Sequence, residues 1–385
     1  MLNYEFPPIG GGAANAHLYL LREFAKTTLT TEGTEKSKIS IDVLTSAPTP
    51  GFFKEQFSDD IAIYKVGIHK KNLHFWRKSE ILEWLFKANG RYRMLLKQNT
   101  YDLVHAFFGF PTGYLCYRTA SQLPYILSLR GSDVPGYNVR LGLDYKILAG
   151  LFRRIWRKAD AIVANSEGLR ELAMKFTPEL KIDVIPNGVD TSQFYPSQNK
   201  LLSSPVRLLT VCRLISRKRI DLLIAAVAEC AKNGVHVQLN IAGEGDLREK
   251  LIAFAAECGV ADRVNFLLRV TSERMPDSYR DNDIFVISSA HEGMSNAMLE
   301  AMASGLPIVT TRCEGVEELI DGNGIVVEDT PASIAAAVTR LINDRQLYAA
   351  MAEVSRKRAC LFSWSAVAEQ YLQYYRTITE NRLGK

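Results

Sequence analysis

Two glutamates, Glu292 and Glu300, stand in the stretch of the chain whose residue types are best suited to chemistry. The residues before them, Ile284–Ile287, are apolar and predict a buried strand, and Ser288–Ser295 predicts a polar loop. A helix is predicted over Asn296–Ser304, so Glu292 falls in the loop and Glu300 about one turn into the helix. The free amides and the dipole at the start of this helix suit an anion. The two carboxylates could accept hydrogen bonds from hydroxyl groups on either side of that anion.

A nucleotide sugar has this layout, with a pyrophosphate between a hexose and a ribose. The stretch from Ile284 through the second glutamate continues into Ala301–Val309 (AMASGLPIV). As a whole it resembles the E-x7-E region of glycosyltransferase family 4, whose members are retaining enzymes of the GT-B fold. The resemblance implies that Glu292 orients the donor sugar and that Glu300 binds the ribose. For the pair of glutamates alone, a solvated loop residue and a helix-surface charge remain the alternative.

Two further turns match the family's donor site. Arg213 and Lys218 follow the predicted strand Val206–Val211, and Gly243 follows the predicted strand Val237–Ile241. The resemblance implies that the two cations grip the donor diphosphate, where they would offset the charge of the leaving nucleotide. A solvated basic turn is the alternative for these cations. The implied donor-binding residues are Gly11, Gly12, Arg213, Lys218, Gly243, Val270, Glu292, Gly293, Met294, Ser295, Asn296 and Glu300.

Arg130 follows the predicted strand Pro124–Leu129, at a position where the family often has a histidine near the reacting sugar. Arginine is a permanent cation with bidentate donors, so it replaces a titratable group with a fixed charge. The alternative is that Arg130 only pairs with Asp133. The catalytic residues implied by the resemblance are Glu292, Arg130, Arg213 and Lys218.

No side chain of the motifs is an obvious nucleophile or general base, and the resemblance implies front-face attack with retention of configuration. It implies no metal and no cofactor, since the nucleotide sugar is a substrate. The sequence Asp281-Asn282-Asp283 spells D-x-D, a metal motif of another glycosyltransferase fold, but it directly precedes a predicted strand and is interpreted as a helix end. Two alternatives stay open: a nucleotide-sugar epimerase of similar fold, which needs acid–base side chains, and a catalytically inactive GT-B scaffold.

Alternating strands and helices predict an α/β protein. The resemblance makes it a GT-B protein, with two Rossmann-like doubly wound domains facing a cleft. The expected organisation is an acceptor-binding domain over 1–195, a polar linker over 196–205, a nucleotide-sugar domain over 206–360, and a helix over 361–385 that returns to the first domain. The first strand is expected to be truncated, because Leu2–Tyr4 can supply only its end; a start upstream of Met1 is the alternative. The glycine-rich turn that follows, Gly10-Gly11-Gly12, could also be a plain loop.

The cysteine content and the hydropathy of the chain indicate the cellular compartment in which the protein is expected. The six cysteines are scattered without a C-x-x-C pair, which favours reduced thiols in the cytoplasm over a disulfide or zinc framework. No apolar run is long enough for a transmembrane helix, and no signal peptide is evident. We therefore expect a cytoplasmic protein, with peripheral binding to the inner face of the membrane as a further possibility.

Positive charge is concentrated in the first half of the chain. Residues 1–195 carry 25 Lys and Arg against 19 Asp and Glu, and residues 69–98 alone carry eight against two, beside two tryptophans. An apolar stripe at Ile81, Leu82, Leu85 and Phe86 predicts a helix there. This helix could be core-packed with a solvated basic face, or it could bind an anionic membrane surface.

No nucleic-acid module is recognised in the sequence, so the expected partners are a nucleotide-diphosphate sugar, a glycan or lipid-linked acceptor, and anionic lipid. Cell-surface polysaccharide or lipopolysaccharide synthesis would use such acceptors.

Overall fold

A computed structural model of the chain describes residues 1–27, 39–73, 75–138, 141–198, 200–290, 294–313 and 315–383. The chain forms two compact units. The first contains Met1–Asn187 and Trp364–Lys385, and the second contains Gly188–Ser363. The last helix therefore belongs to the first unit, where it packs against the first helix of the chain.

The first unit contains a sheet with helices around it. Its strands are β1 Ile41–Ala47, β2 Gly51–Ser58, β3 Ile61–Gly67, β4 Val104–Phe107, β5 Tyr125–Leu129, β6 Ala161–Ala164 and β7 Asp183–Val184. Its helices are α1 Gly12–Thr27, α2 Lys78–Gln98, α3 Thr112–Tyr117, α4 Gly142–Lys158, α5 Glu167–Phe176 and α13 Trp364–Leu383.

Leu2 joins two groups of strands in this unit. It forms parallel bridges with Leu44 of β1 and with Ala106 of β4. Strand β1 continues through the parallel β3 to the antiparallel edge strand β2, and β4 continues through β5, β6 and β7. The start of the chain thus lies between β1 and β4, and the glycine-rich turn comes directly after it.

The second unit contains strands β8 Val206–Val211, β9 Val237–Ala242, β10 Val264–Phe266, β11 Ile284–Ile287, β12 Ile308–Thr311 and β13 Gly324–Val327. Its α-helices are α6 Ile220–Lys232, α7 Arg248–Glu257, α8 Met275–Arg280, α9 Asn296–Ala303, α10 Val316–Leu319, α11 Pro331–Asn343 and α12 Arg345–Leu361, and short 3-10 helices cover Ser216–Lys218 and Ala261–Arg263.

All pairings in this sheet are parallel, in the order β10-β9-β8-β11-β12-β13. The strand order reverses between β8 and β11. Open α/β sheets bind ligands outside the carboxyl ends of their strands at such a switch point. The loops after β8 and β11, which contain the basic turn and the start of α9, therefore flank this switch point.

Helices cover both faces of the second sheet, which explains why its strands are apolar along their length. Along β11, Ile284 and Val286 pack into the core with α6 and α11, while Phe285 and Ile287 pack into the core with α9. Successive side chains of a strand point to opposite faces. The unbroken apolar run Ile284–Ile287 is thus a strand buried on both sides.

The second unit begins earlier than the predicted domain boundary at 195. The Val189 N–H donates to the Phe362 carbonyl at 2.7 Å, and the Arg356 guanidinium donates to the Phe194 carbonyl at 2.8 Å. The segment after Asn187 is therefore bound to helix α12. In the region predicted as a linker, the Ser203 N–H donates to the Asp283 carboxylate at 3.3 Å, so this region also belongs to the second unit.

The D-x-D sequence is a helix end, as predicted. Asp281 terminates α8, and Asp283 is fully buried with its carboxylate accepting from the Arg207 N–H at 2.8 Å. Asp281 is exposed at the end of this helix, whereas Asp283 is used inside the fold. Among the described residues, no helix is long and apolar enough to cross a membrane.

Candidate active site

The loops after β8, β9 and β10 are joined to one another by backbone hydrogen bonds at the carboxyl end of the second sheet. The Leu214 N–H donates to the Glu244 carbonyl at 2.9 Å, and the Gly243 N–H donates to the Leu268 carbonyl at 2.8 Å. The predicted residues Arg213, Gly243 and Val270 lie on these three loops. They are therefore brought to the same end of the sheet.

Gly243 is required by the close approach of two loops. Its φ is +140°, and a Cβ at this position would lie 1.9 Å from the Cys212 carbonyl oxygen. Only glycine adopts this conformation without steric cost and also leaves room for the neighbouring backbone. The glycine thus holds the turn after β9 against the turn after β8, whatever else it contacts.

The basic turn after β8 is fixed to the loop after β11 across the switch point. The Ser288 hydroxyl donates to the Lys218 carbonyl at 3.0 Å, and the Ala290 N–H donates to the Arg217 carbonyl at 2.8 Å. Lys218 is buried, with 8% of its surface exposed, whereas Arg213 is exposed. The structure therefore brings Lys218 next to the first residues of the loop after β11.

Helix α9 begins at Asn296, as predicted. Ser295 caps it, because the Ser295 hydroxyl oxygen accepts the Met298 N–H at 3.4 Å. Met294 is buried just before the cap. The predicted residues Glu292 and Gly293 lie outside the described residues.

Glu300 lies in α9, and the Tyr279 hydroxyl donates to its Oε2 at 2.8 Å. Burial raises the pKa of the Glu300 carboxyl from 4.5 to about 7, although the Tyr279 hydrogen bond acts in the opposite direction. Sequence reasoning missed both Tyr279 and Ser288. Neither belongs to a spaced motif, and each acts through a contact with a residue distant in the sequence.

The glycine-rich turn lies in the first unit. Gly12 is the first residue of α1, Gly11 precedes it, and the Gly10 N–H donates to the Leu73 carbonyl at 2.8 Å. Gly10 has a φ of +101°, which favours glycine. This turn therefore contacts the segment that leads into α2.

Arg130 also lies in the first unit, and its guanidinium does not pair with Asp133. It donates to Asn187 Oδ1 at 2.8 Å, and it lies over the Phe107 ring at 4.7 Å from the centroid. A longer contact of 3.4 Å joins it to the Tyr371 hydroxyl. The buried Asp133 carboxylate accepts from the Arg130 backbone N–H at 2.9 Å instead. The alternative of a simple Arg130–Asp133 ion pair is therefore wrong.

The family description "Glycosyl transferases group 1" matches residues 192–358, and "Glycosyltransferase Family 4" matches residues 28–193. The chain is 32% identical over 307 residues to a D-inositol 3-phosphate glycosyltransferase of Corynebacterium jeikeium, covering 72% of each chain. It is 32% identical over 241 residues to the lipopolysaccharide core biosynthesis glycosyltransferase LpsE of Rhizobium meliloti, covering 61% of this chain and 68% of the relative.

Among solved structures, the chain is similar to a sucrose-phosphate synthase from Thermosynechococcus elongatus. The TM-score is 0.81 at 21% sequence identity, over 99% of this chain and 98% of the other. This likeness confirms the GT-B fold with its Rossmann-like units. Together with the family matches and the relatives, it shows that the chain belongs to the group 1 glycosyltransferases, glycosyltransferase family 4.

Proposed function

We propose that this glycosyltransferase is a retaining, metal-independent hexosyltransferase that takes its sugar from a nucleotide-diphosphate donor. The observation that carries the proposal is the attachment of the basic turn to the loop after β11 by Ser288 and Ala290. It holds Lys218 beside the beginning of the loop after β11, at the switch point of a parallel sheet, and a capped helix follows that loop in the chain. Cations and helix amides together suit the diphosphate of a nucleotide sugar.

In the proposed reaction, the bond between the anomeric carbon and the diphosphate oxygen breaks, and a bond to the acceptor oxygen forms on the same face of the sugar. The departing phosphate oxygen takes the acceptor's proton. Arg213, Lys218 and the amides at the start of α9 offset the charge that grows on the leaving nucleotide. Catalysis then rests on position and electrostatics and needs no side-chain nucleophile.

The exposed side of helix α2 supports the proposal of a lipid-linked acceptor. One face of α2, which contains Trp84 and Tyr92, is buried, while Leu82 and Phe86 on another face are 62% and 84% exposed. Phe75, just before the helix, is 57% exposed. Large apolar side chains in this position suit insertion into the headgroup region of a bilayer.

The charge around this face fits an anionic lipid surface. Exposed cations lie before α2 and at both of its ends: Lys71, Arg77, Lys78, Arg93 and Lys97. Lys70 pairs with Glu80, Lys87 pairs with Glu83, and the exposed Lys78 pairs with Asp144. We define Phe75, Leu82, Phe86 and the five exposed cations as the α2 face, and we propose that it binds anionic lipid.

The name of one relative agrees with an acceptor of this chemistry, since that protein acts in lipopolysaccharide core biosynthesis. A polysaccharide or lipopolysaccharide intermediate is therefore the proposed acceptor. Such an acceptor would be presented at a membrane, and the α2 face would bring the enzyme to it.

A donor screen tests the proposal. Purified protein is incubated with a panel of nucleotide sugars, with and without membrane extract as a source of acceptor, in the presence of EDTA. The proposal predicts release of a nucleoside diphosphate from one donor only when extract is present, and a product whose anomeric configuration in NMR matches the donor. Conversion of the nucleotide sugar without extract would indicate an epimerase, and no turnover of any donor would indicate an inactive scaffold.

A further inference from the structure

Tyr279 is a buried tyrosine whose ring has little freedom to move. It lies in α8 with none of its surface exposed. The Phe194 ring meets it edge-on with centroids 5.6 Å apart, and the Phe285 ring lies at 6.0 Å on β11. Aromatic pairs at these distances pack favourably and fix the ring. The direction of the Tyr279 hydroxyl is therefore set by the core of the second unit.

That hydroxyl is directed at one oxygen of the Glu300 carboxylate, with 2.8 Å between the Tyr279 oxygen and Oε2. Within the described part of the chain, this is the only hydrogen bond that the Glu300 carboxylate accepts. A carboxylate has about four acceptor positions on its two oxygens. With Oε2 held by Tyr279, Oε1 keeps its capacity to accept hydrogen bonds from a ligand.

We propose that Tyr279 is the positioning residue for Glu300, holding its carboxylate so that Oε1 accepts the hydroxyls of the donor ribose. This inference rests on the proposed function, because it assumes that the donor is a nucleotide. It assigns to the donor site a residue that contacts no substrate. The Tyr279 hydroxyl acts only by fixing a carboxylate that would otherwise rotate.

Loss of the hydroxyl should affect ribose recognition specifically. In Tyr279→Phe, the ring keeps its contacts with Phe194 and Phe285, so the core is preserved. The Glu300 carboxylate loses its donor and gains rotational freedom that ribose binding must then remove. We expect about a tenfold loss of affinity for a nucleotide with ribose hydroxyls, as for one charge-assisted hydrogen bond. A nucleotide without those hydroxyls should bind equally to both proteins.

The chain offers a matched control in Tyr348. This tyrosine is also buried in the second unit, and its hydroxyl donates to the Asp283 carbonyl at 3.0 Å. Calorimetry would measure the binding of UDP, GDP and ADP, and of their 2′,3′-dideoxy counterparts, to wild type, Tyr279→Phe and Tyr348→Phe. Wild type and Tyr348→Phe should prefer the ribose form of the bound nucleotide by the same factor. Tyr279→Phe should lose most of that preference.

A double variant checks that the effect passes through Glu300. In a Glu300→Ala background, which has no carboxylate for Tyr279 to hold, Tyr279→Phe should cause no further loss, whereas an additive loss would overturn the positioning role. An unchanged ribose preference in Tyr279→Phe would overturn it as well. If wild type binds a diphosphate without any ribose preference, the inference fails while the proposed glycosyl transfer stands. If wild type binds none of the diphosphates, the proposed function fails with it.

Discussion

Glu300 is the residue of the proposed donor site whose protonation should be visible near neutral pH. Burial raises the pKa of its carboxyl from 4.5 to about 7 in the folded protein. Between these two values the folded protein holds a proton that the unfolded chain has lost, so folding becomes less favourable as the pH rises through this window. The stability that the protonated group contributes is fully present below pH 4.5 and is lost as the pH rises through 7.

Glu300→Gln removes this titration and keeps an acceptor for Tyr279. The melting temperature of the variant relative to wild type should therefore rise from about pH 5 to about pH 8. Other titrating groups are common to both proteins and cancel in the difference. Thermal melts of the two proteins over this pH range measure the difference in melting temperature. A difference that does not change with pH would contradict the raised pKa of Glu300.

Arg130 supplies a fixed positive charge where the family often has histidine. If it stabilises negative charge in the transition state, Arg130→Ala should reduce turnover by roughly 100-fold with little change in nucleotide affinity. Arg130→His should keep partial activity that falls as the pH rises past neutrality, because the imidazole loses its charge.

A purely structural role gives a different result. The guanidinium binds Asn187 and lies over Phe107, so its loss would then lower the melting temperature and leave the activity per folded molecule unchanged. Measuring turnover and melting temperature on the same proteins separates the two roles. A stable, fully active Arg130→Ala would exclude Arg130 from catalysis.

Single residues could be predicted from the sequence where they belong to a spaced motif. Gly243 and Lys218 were predicted in this way; the structure places Lys218 beside the loop after β11 and Gly243 against the turn after β8, and their part in donor binding stays a prediction. Ser288 and Tyr279 could not be found, since Ser288 contacts a residue 70 positions away and Tyr279 contacts one 21 positions away. A hydroxyl that binds a distant carbonyl or carboxylate leaves no local pattern in the sequence.

At the scale of elements, the sequence indicated a helix near residues 70–97 but not which side of it is buried. The predicted stripe included Leu82 and Phe86, which the structure leaves exposed. The buried side contains Trp84, Ala88, Tyr92 and Leu95, at helical spacing. Both sides are apolar in the sequence, so periodicity alone could not choose between them. Strand β2 was missed for a related reason, because most of this edge strand is exposed.

The exposed side of α2 predicts binding to anionic vesicles. Leu82→Ser and Phe86→Ser together should reduce the bound fraction at least several-fold, since each loses part of the about 1.5–3 kcal/mol that full burial of such a side chain contributes. Binding of wild type should also weaken as salt rises. Co-sedimentation with phosphatidylserine-containing and neutral vesicles measures both effects.

Phe53 provides the control for this experiment. Phe53 lies on β2, is 43% exposed, and does not belong to the α2 face. Phe53→Ser should therefore leave vesicle binding unchanged. Equal pelleting of wild type with neutral and anionic vesicles would contradict the electrostatic part of the proposal. Unchanged binding of the double variant would contradict insertion of Leu82 and Phe86.

At the scale of the whole molecule, the two Rossmann-like units were predictable because each parallel strand is an apolar run followed by a loop and a helix. The strand order of the second unit places the loops after β8 and β11 side by side. The boundary between the units was harder to place. The segment after Asn187 looks like a loop in sequence, and contacts with distant residues, among them its bonds to Phe362 and Arg356, attach it to the second unit.

The proposed donor site at the switch point is tested most directly by hydrogen–deuterium exchange with and without a saturating nucleoside diphosphate identified by the calorimetric screen. Slower exchange is predicted in peptides that cover residues 212–219, 243–246 and 290–300. In Lys218→Ala, the same footprint should require about tenfold more ligand, because one charge-assisted contact is lost. Protection confined to other parts of the chain, or an unchanged ligand requirement in Lys218→Ala, would contradict a donor site at the switch point.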